Sequence, residues 1–231
     1  MEVQRNIWSA RDVGMMTLYI VGLSGAVLLG LWLAKPDTLT AVFAFELSFF
    51  AIVVGVFWSF AKKNNLSLHD TGFRPIGRKW ILLSIVAGFG VLFAGGALVK
   101  TIGPLLGISD GTSSSIKQLL DTGMISDSMW VNLIHFKLIV AFLIPIAEEL
   151  FFRGVLFKYF RQTRSFAFAG GASAVIFAAL HIAPPLIIFA FLLGLTSAFM
   201  YEKSGSLFSS IIVHVVNNNF VATLILISLT A

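Results

Sequence analysis

The chain has 231 residues, of which 58% are hydrophobic and 12% charged; ordinary soluble domains carry roughly 25% charged residues, so a water-soluble globule is excluded. Cysteine is absent, which removes disulfides, thiolate nucleophiles and cysteine-built zinc or iron–sulfur sites. The formal charge of +5 does not imply a nucleic-acid partner, because the basic residues lie in short loops between apolar runs, where they set orientation in a bilayer.

A hydrocarbon core of about 30 Å takes about 20 helical residues to cross. The first apolar run near that length is Gly14–Ala34. It follows a polar start, Met1–Val13, and exceeds the roughly 7–15 apolar residues of a signal peptide, so it is expected to stay in the mature protein. Six more runs follow: Leu39–Ala61, Trp80–Val99, Val131–Phe157, Phe166–Ala183, Leu186–Tyr201 and Leu207–Leu229. The connection Lys100–Trp130 is the least apolar part and reads as an outer loop with a short interfacial helix. Small residues at four-residue spacing, Gly22, Ala26 and Gly30, then Gly170, Ala174 and Ala178, read as helix-packing seams. The expected fold is an all-α, polytopic transmembrane bundle of about seven helices. It forms one domain over residues 1–231, with the catalytic helices within 131–229.

Alternate loops should differ in Lys and Arg content, and they do. Twelve fall on the side that holds Arg5, Arg11 and Arg74; three, Lys35, Lys100 and Lys117, fall on the other, with Lys137 inside the fourth run. This bias places the N-terminus in the cytoplasm and the C-terminus outside a cell membrane.

Ionisable side chains inside a membrane cost about 2.5–3.5 kcal/mol each on insertion scales, so their pattern carries the functional argument. In the fourth run, Pro145-Ile-Ala-Glu148-Glu149-Leu-Phe-Phe-Arg153 places Glu149 and Arg153 at i,i+4, able to pair on one face. Glu148 points about 100° away and is free for another task. Pro145 removes a backbone hydrogen bond beside the acids and predicts a kink. The fifth run carries Phe177-Ala-Ala-Leu-His181 ahead of Pro184-Pro185, and the seventh carries His214-Val-Val-Asn217-Asn218-Asn219, with His214 and Asn218 on one face. The alternative for the acid–arginine pair is an interfacial ion pair at a helix end, which leaves the other two helices unexplained, and a lone His181 reads as an interhelical hydrogen-bonder. Glu148, His181 and His214 stand 10, 15 and 9 residues from Lys158, Phe166 and Gly205, the expected cytoplasmic boundaries. At about 1.5 Å per residue these are depths of roughly 13–23 Å, where the three can meet. An acid, two imidazoles and a carboxamide together suit activation of water and stabilisation of an oxyanion.

These three elements, Glu148-Glu149-x-x-x-Arg153, Phe177-x-x-x-His181 and His214-x-x-x-Asn218, resemble those of the CAAX-protease and bacteriocin-processing, or Abi-type, intramembrane proteases. The resemblance covers about residues 141–220, and Leu68–Arg74 is similar to a cytoplasmic stretch of that family. It implies an endopeptidase in which Glu148 and His181 activate water, His214 and Asn218 stabilise the oxyanion, and Glu149 and Arg153 hold the geometry. The substrate would be a peptide or protein, entering from the cytoplasm or laterally from lipid. Two accounts of the chemistry stay open: a metal-free one, and one in which Glu148, His181 and His214 ligate zinc.

Three rivals remain. No His is followed by Glu, so the His-Glu-x-x-His zinc helix is missing, and Ser173 and Ser197 read as packing residues rather than nucleophiles. Glu46, Lys137 and Glu148 would instead serve a transporter or channel, with Lys137 eleven residues before Glu148 on the same helix. A non-catalytic protein conferring self-immunity to a peptide toxin is the third reading.

Overall fold

The computed structural model describes residues 7–106, 123–181 and 184–230. Among them every regular element is helical. The chain enters α1 (Ala10–Ala34) through a reciprocal cap, in which Ser9 Oγ accepts the Asp12 N–H and the Asp12 carboxylate accepts the Ser9 N–H. Lys35, in the left-handed conformation at φ 50°, ends α1, and Asp37 caps α2 (Thr38–Lys63) through the Thr40 N–H. So short a turn makes α1 and α2 an antiparallel hairpin. A single-turn helix, α3 (Leu68–Thr71), precedes α4 (Arg78–Ile102), which tightens into a 3-10 turn at Gly103–Leu106. Most of the expected outer loop, with its interfacial helix, lies outside the described residues.

α5 runs without a break over Met129–Arg161, and α6 (Phe166–Ala179), α7 (Pro184–Ser204) and α8 (Leu207–Ser228) complete the bundle. All seven expected apolar runs are helices. Six are long and apolar enough to cross a membrane. The exception is α6, whose 14 residues reach about 21 Å, short of a hydrocarbon core of about 30 Å. It stops at Ala179 and not at Ala183 because the Pro184-Pro185 pair cannot continue a helix and disfavours helical geometry in the residue before it. α6 and α7 lie antiparallel, with Phe166 against Phe199 at one end and Ala174 against Gly194 further along.

α8 is the central helix, packed against α4, α5 and α7, while α2 lies along the Ile144–Phe151 part of α5. The burial pattern is that of a lipid-solvated protein: Trp32 and Phe93 are 70% and 76% exposed, whereas Glu149 and Arg153 are fully enclosed. The seam Gly170, Ala174 and Ala178 is buried as expected, but Gly22 and Gly30 of the first seam have open space where a Cβ would be, so that stripe faces outward. The close approach occurs instead on α4. A Cβ on Gly88 would stand 2.8 Å from Val213 O and 2.9 Å from Val216 Cβ on α8.

Gly88→Ala is therefore expected to destabilise the bundle by about 1–3 kcal/mol through overpacking. Gly90→Ala, where a Cβ meets nothing within 4 Å, is the control. Denaturant unfolding in micelles followed by circular dichroism compares them; equal midpoints for the two variants would remove the seam.

Candidate active site

The centre of α5 changes register twice. It is π-helical over Ile134–Leu143, α-helical over Ile144–Phe151, and π-helical again over Phe152–Phe157. Pro145 sits at the first change, where its missing N–H and bulky ring are absorbed by the transition. The expected kink site is thus a register boundary, and both acids lie just beyond it.

Glu149 and Arg153 pair as their spacing predicts, with Arg153 Nη1 2.9 Å from Glu149 Oε1. Arg153 Nη2 donates to Gly194 O of α7 at 2.7 Å, and its guanidinium lies 5.1 Å from the centre of the Phe177 ring. The same Glu149 oxygen accepts from His214 Nδ1 on α8 at 2.9 Å. The other ring nitrogen of His214, Nε2, stands 3.5 Å from Glu148 Oε2. His214 is thereby clamped between two adjacent carboxylates that leave α5 in different directions. Three members of this set, Glu149, Arg153 and His214, are buried; the Glu148 side chain retains 20% exposure and is the one that can meet a substrate.

His181 reaches the cluster by a different route. It lies beyond the end of α6, not within it, and its Nδ1–H donates to Phe177 O at 3.0 Å, which leaves Nε2 as an acceptor. Its ring packs on Phe177 with centroids 5.0 Å apart, and His214 packs edge-on to the same ring at 5.6 Å. Phe177 is thus a common platform for both imidazoles and the guanidinium.

The polar run on α8 fans out. Asn218 Nδ2 donates to Val140 O at 3.3 Å, one turn along the helix from His214, with its side chain half-buried. Asn217 turns to Gly88 O on α4, and Asn219 accepts from Lys137 at 2.7 Å. His214, Asn218 and Asn219 all contact α5, and of the three only His214 touches the acids.

Among the described residues no three His, Asp or Glu side chains gather into a metal-ligating group. Ser173 is buried with its hydroxyl on Gly170 O, and Ser197 is buried in α7, in keeping with packing roles. The charges that suggested transport are placed apart from Glu148: Glu46 pairs with His135 at 3.0 Å, and Lys137 is held by Asn219 and Thr223.

The stretch around α3 is locked onto the start of α8. Leu207 N–H donates to Gly72 O at 2.9 Å, Ser206 Oγ to Arg74 O at 2.5 Å, and Lys158 Nζ to Asp70 O. Gly72 turns there at φ 102°, and a Cβ would stand 3.1 Å from the Tyr201 hydroxyl, so only glycine suits the position. Gly194 is the supporting residue that sequence reasoning missed. A Cβ on it would come 3.0 Å from Ala174 Cα and 3.2 Å from Arg153 Nη2, but nothing in the sequence separates it from the other glycines of apolar helices.

Residues 130–220 match the family model described as "Type II CAAX prenyl endopeptidase Rce1-like". A protein of Bacillus subtilis (strain 168) named "Putative membrane peptidase YdiL" is 34% identical over 77 residues. That match covers 33% of this chain and 32% of the relative's length, so the chain spans about a third of the curated relative it matches. No solved structure matches the chain. The stretch matched by the family model carries Glu148, His181, His214 and Asn218.

Proposed function

We propose, from a chain whose residues 130–220 belong to the CAAX-protease and bacteriocin-processing family, that this protein is an intramembrane endopeptidase. Its active cavity opens toward the cytoplasm. One observation carries the reading: a partly exposed carboxylate, Glu148, faces an imidazole whose far nitrogen is fixed by a buried Glu149–Arg153 pair.

Glu148 takes a proton from water as the oxygen adds to the scissile carbonyl carbon, and it then delivers that proton to the leaving amine as the C–N bond breaks. His181 Nε2 accepts the second hydrogen of the attacking water and orients it. The developing oxyanion is met by His214 Nε2–H and the Asn218 amide. For His214 to donate at Nε2 while Nδ1–H is held by Glu149 it must carry a second proton. This scheme is metal-free, in line with Asn218 being a natural oxyanion donor and a poor zinc ligand.

With Arg153 set aside because it is enclosed within α5, eleven basic residues against three support a cytoplasmic N-terminus and an outside C-terminus. Because α6 and α7 form a hairpin that returns to the side it left, this orientation does not depend on whether α6 spans the membrane. The substrate is a peptide or protein reached from the cytoplasm or from surrounding lipid.

The test is to reconstitute wild type, His181→Ala and His214→Ala in liposomes with a peptide library and identify products by mass spectrometry. Cleavage by wild type, reduced about 100-fold or more in both variants, is expected for loss of a residue acting in the transition state. Equal behaviour of all three proteins overturns the proposal, and substrate-driven ion flux in its place would favour a transporter.

A further inference from the structure

The N-terminal strap packs against α5 one residue from Arg153, although it lies far outside the matched segment. Trp8, which precedes α1, is 1% exposed and donates its indole Nε1–H to Gly154 O at 2.6 Å. Gly154 immediately follows Arg153 within the second π-helical stretch of α5. Sustained π-helix is rare and poorly held by its own hydrogen bonds, so outside contacts must fix its register. Three do so here. Phe57 of α2 packs edge-on to Trp8 at 6.0 Å and fills the space beside Gly154, where a Cβ would stand 3.0 Å from the Phe57 ring. Gln162, one residue beyond α5, clamps the strap itself: its Oε1 accepts the Ile7 and Trp8 N–H groups at 2.6 and 3.3 Å, and its Nε2 donates to Trp8 O at 3.0 Å. Lys63 at the end of α2 pairs with Asp12 at 3.1 Å, fixing the first turn of α1.

We infer that Trp8 is a positioning residue for the active site: its indole N–H holds the π-helical register at Gly154 and so aims Arg153 at Glu149, which in turn holds His214. A rotation of the Gly154 peptide would swing the adjacent Arg153 away from Glu149 Oε1 and Gly194 O, and His214 would lose the charge balance of its acceptor. The indole does this by hydrogen bonding and not by bulk alone, because Phe57 already supplies apolar contact at the glycine. A strap of residues remote in sequence from the motifs therefore belongs to the catalytic geometry. The inference rests on the peptidase reading for its kinetic consequence, but not for its structural one.

The experiment uses the full chain. Trp8→Phe keeps an aromatic ring and removes the donor; kcat is expected to fall about 10–100-fold, the scale of a small misplacement, with KM within about two-fold. Trp8→Gly opens an indole-shaped space, and added indole should restore kcat whereas indene, of the same shape without the N–H, should not. Nitrogen-15 spectra of labelled histidine are read in parallel, and the His214 Nδ1 signal should shift in Trp8→Phe and return toward wild type in Trp8→Gly with indole only. Rescue by indene as well as indole, or an unchanged kcat and His214 signal in Trp8→Phe, overturns the inference. If wild type cleaves no peptide, the peptidase reading fails, while the His214 signal still decides the role of Trp8.

Discussion

Glu148→Gln is expected to abolish peptide cleavage while leaving the helix bundle intact. Glutamine matches glutamate in shape and retains polar contact with His214 Nε2, now 3.5 Å from the carboxylate, but it cannot take a proton from water. Removal of a positioned general base costs about 100- to 10,000-fold in rate. Stability should change little, because the Glu148 side chain is 20% exposed and makes none of the buried contacts to Arg153 or Gly194. The comparison needs kcat/KM for wild type and variant in the same liposomes, together with their denaturation midpoints in micelles. A variant within ten-fold of wild-type activity would remove Glu148 from the role of base, whatever its stability.

The second large effect separates folding from chemistry. Glu149→Leu leaves Arg153 buried with its partner gone, and Arg153→Met does the converse to Glu149; each is expected to cost about 3–5 kcal/mol because an uncompensated charge stays enclosed. Both side chains are fully buried, so solvent cannot relieve the loss. The double variant Glu149→Leu/Arg153→Met removes both charges and fills similar volume, and its stability should return to within about 1–2 kcal/mol of wild type. Its activity should not return, since His214 Nδ1–H has lost the carboxylate that fixes it. Unfolding midpoints and peptide turnover on the same preparations give both readings. Recovery of activity along with stability would show that Glu149 serves the fold alone.

The Glu149–Arg153 pair was legible in the sequence because helix periodicity alone brings i and i+4 together. His214 as the second partner of Glu149 was not, since 65 positions separate them and only the packing of α8 against α5 closes that gap. The same limit applies to His181. Depth counting sets it at a level comparable with the acids, but its position beyond the end of α6 depends on where the Pro184-Pro185 pair stops the helix. The outward-facing stripe of Gly22, Ala26 and Gly30 shows the limit from the other side. Small residues permit close helix approach, yet which helix arrives is a tertiary matter, and here α4 and α8 meet at Gly88 instead.

The sequence by itself determined the solvent, the helices and the inventory of reactive groups, because each follows from local physics: the apolar length needed to cross lipid, the cost of a charge within it, and the periodicity of one helix. Tertiary structure alone decided which nitrogen of His214 faces which carboxylate, that Arg153 reaches a carbonyl on α7, and that Trp8 reaches Gly154. Those are contacts between segments remote in the chain, selected by shape and by the need of every buried polar group for a partner.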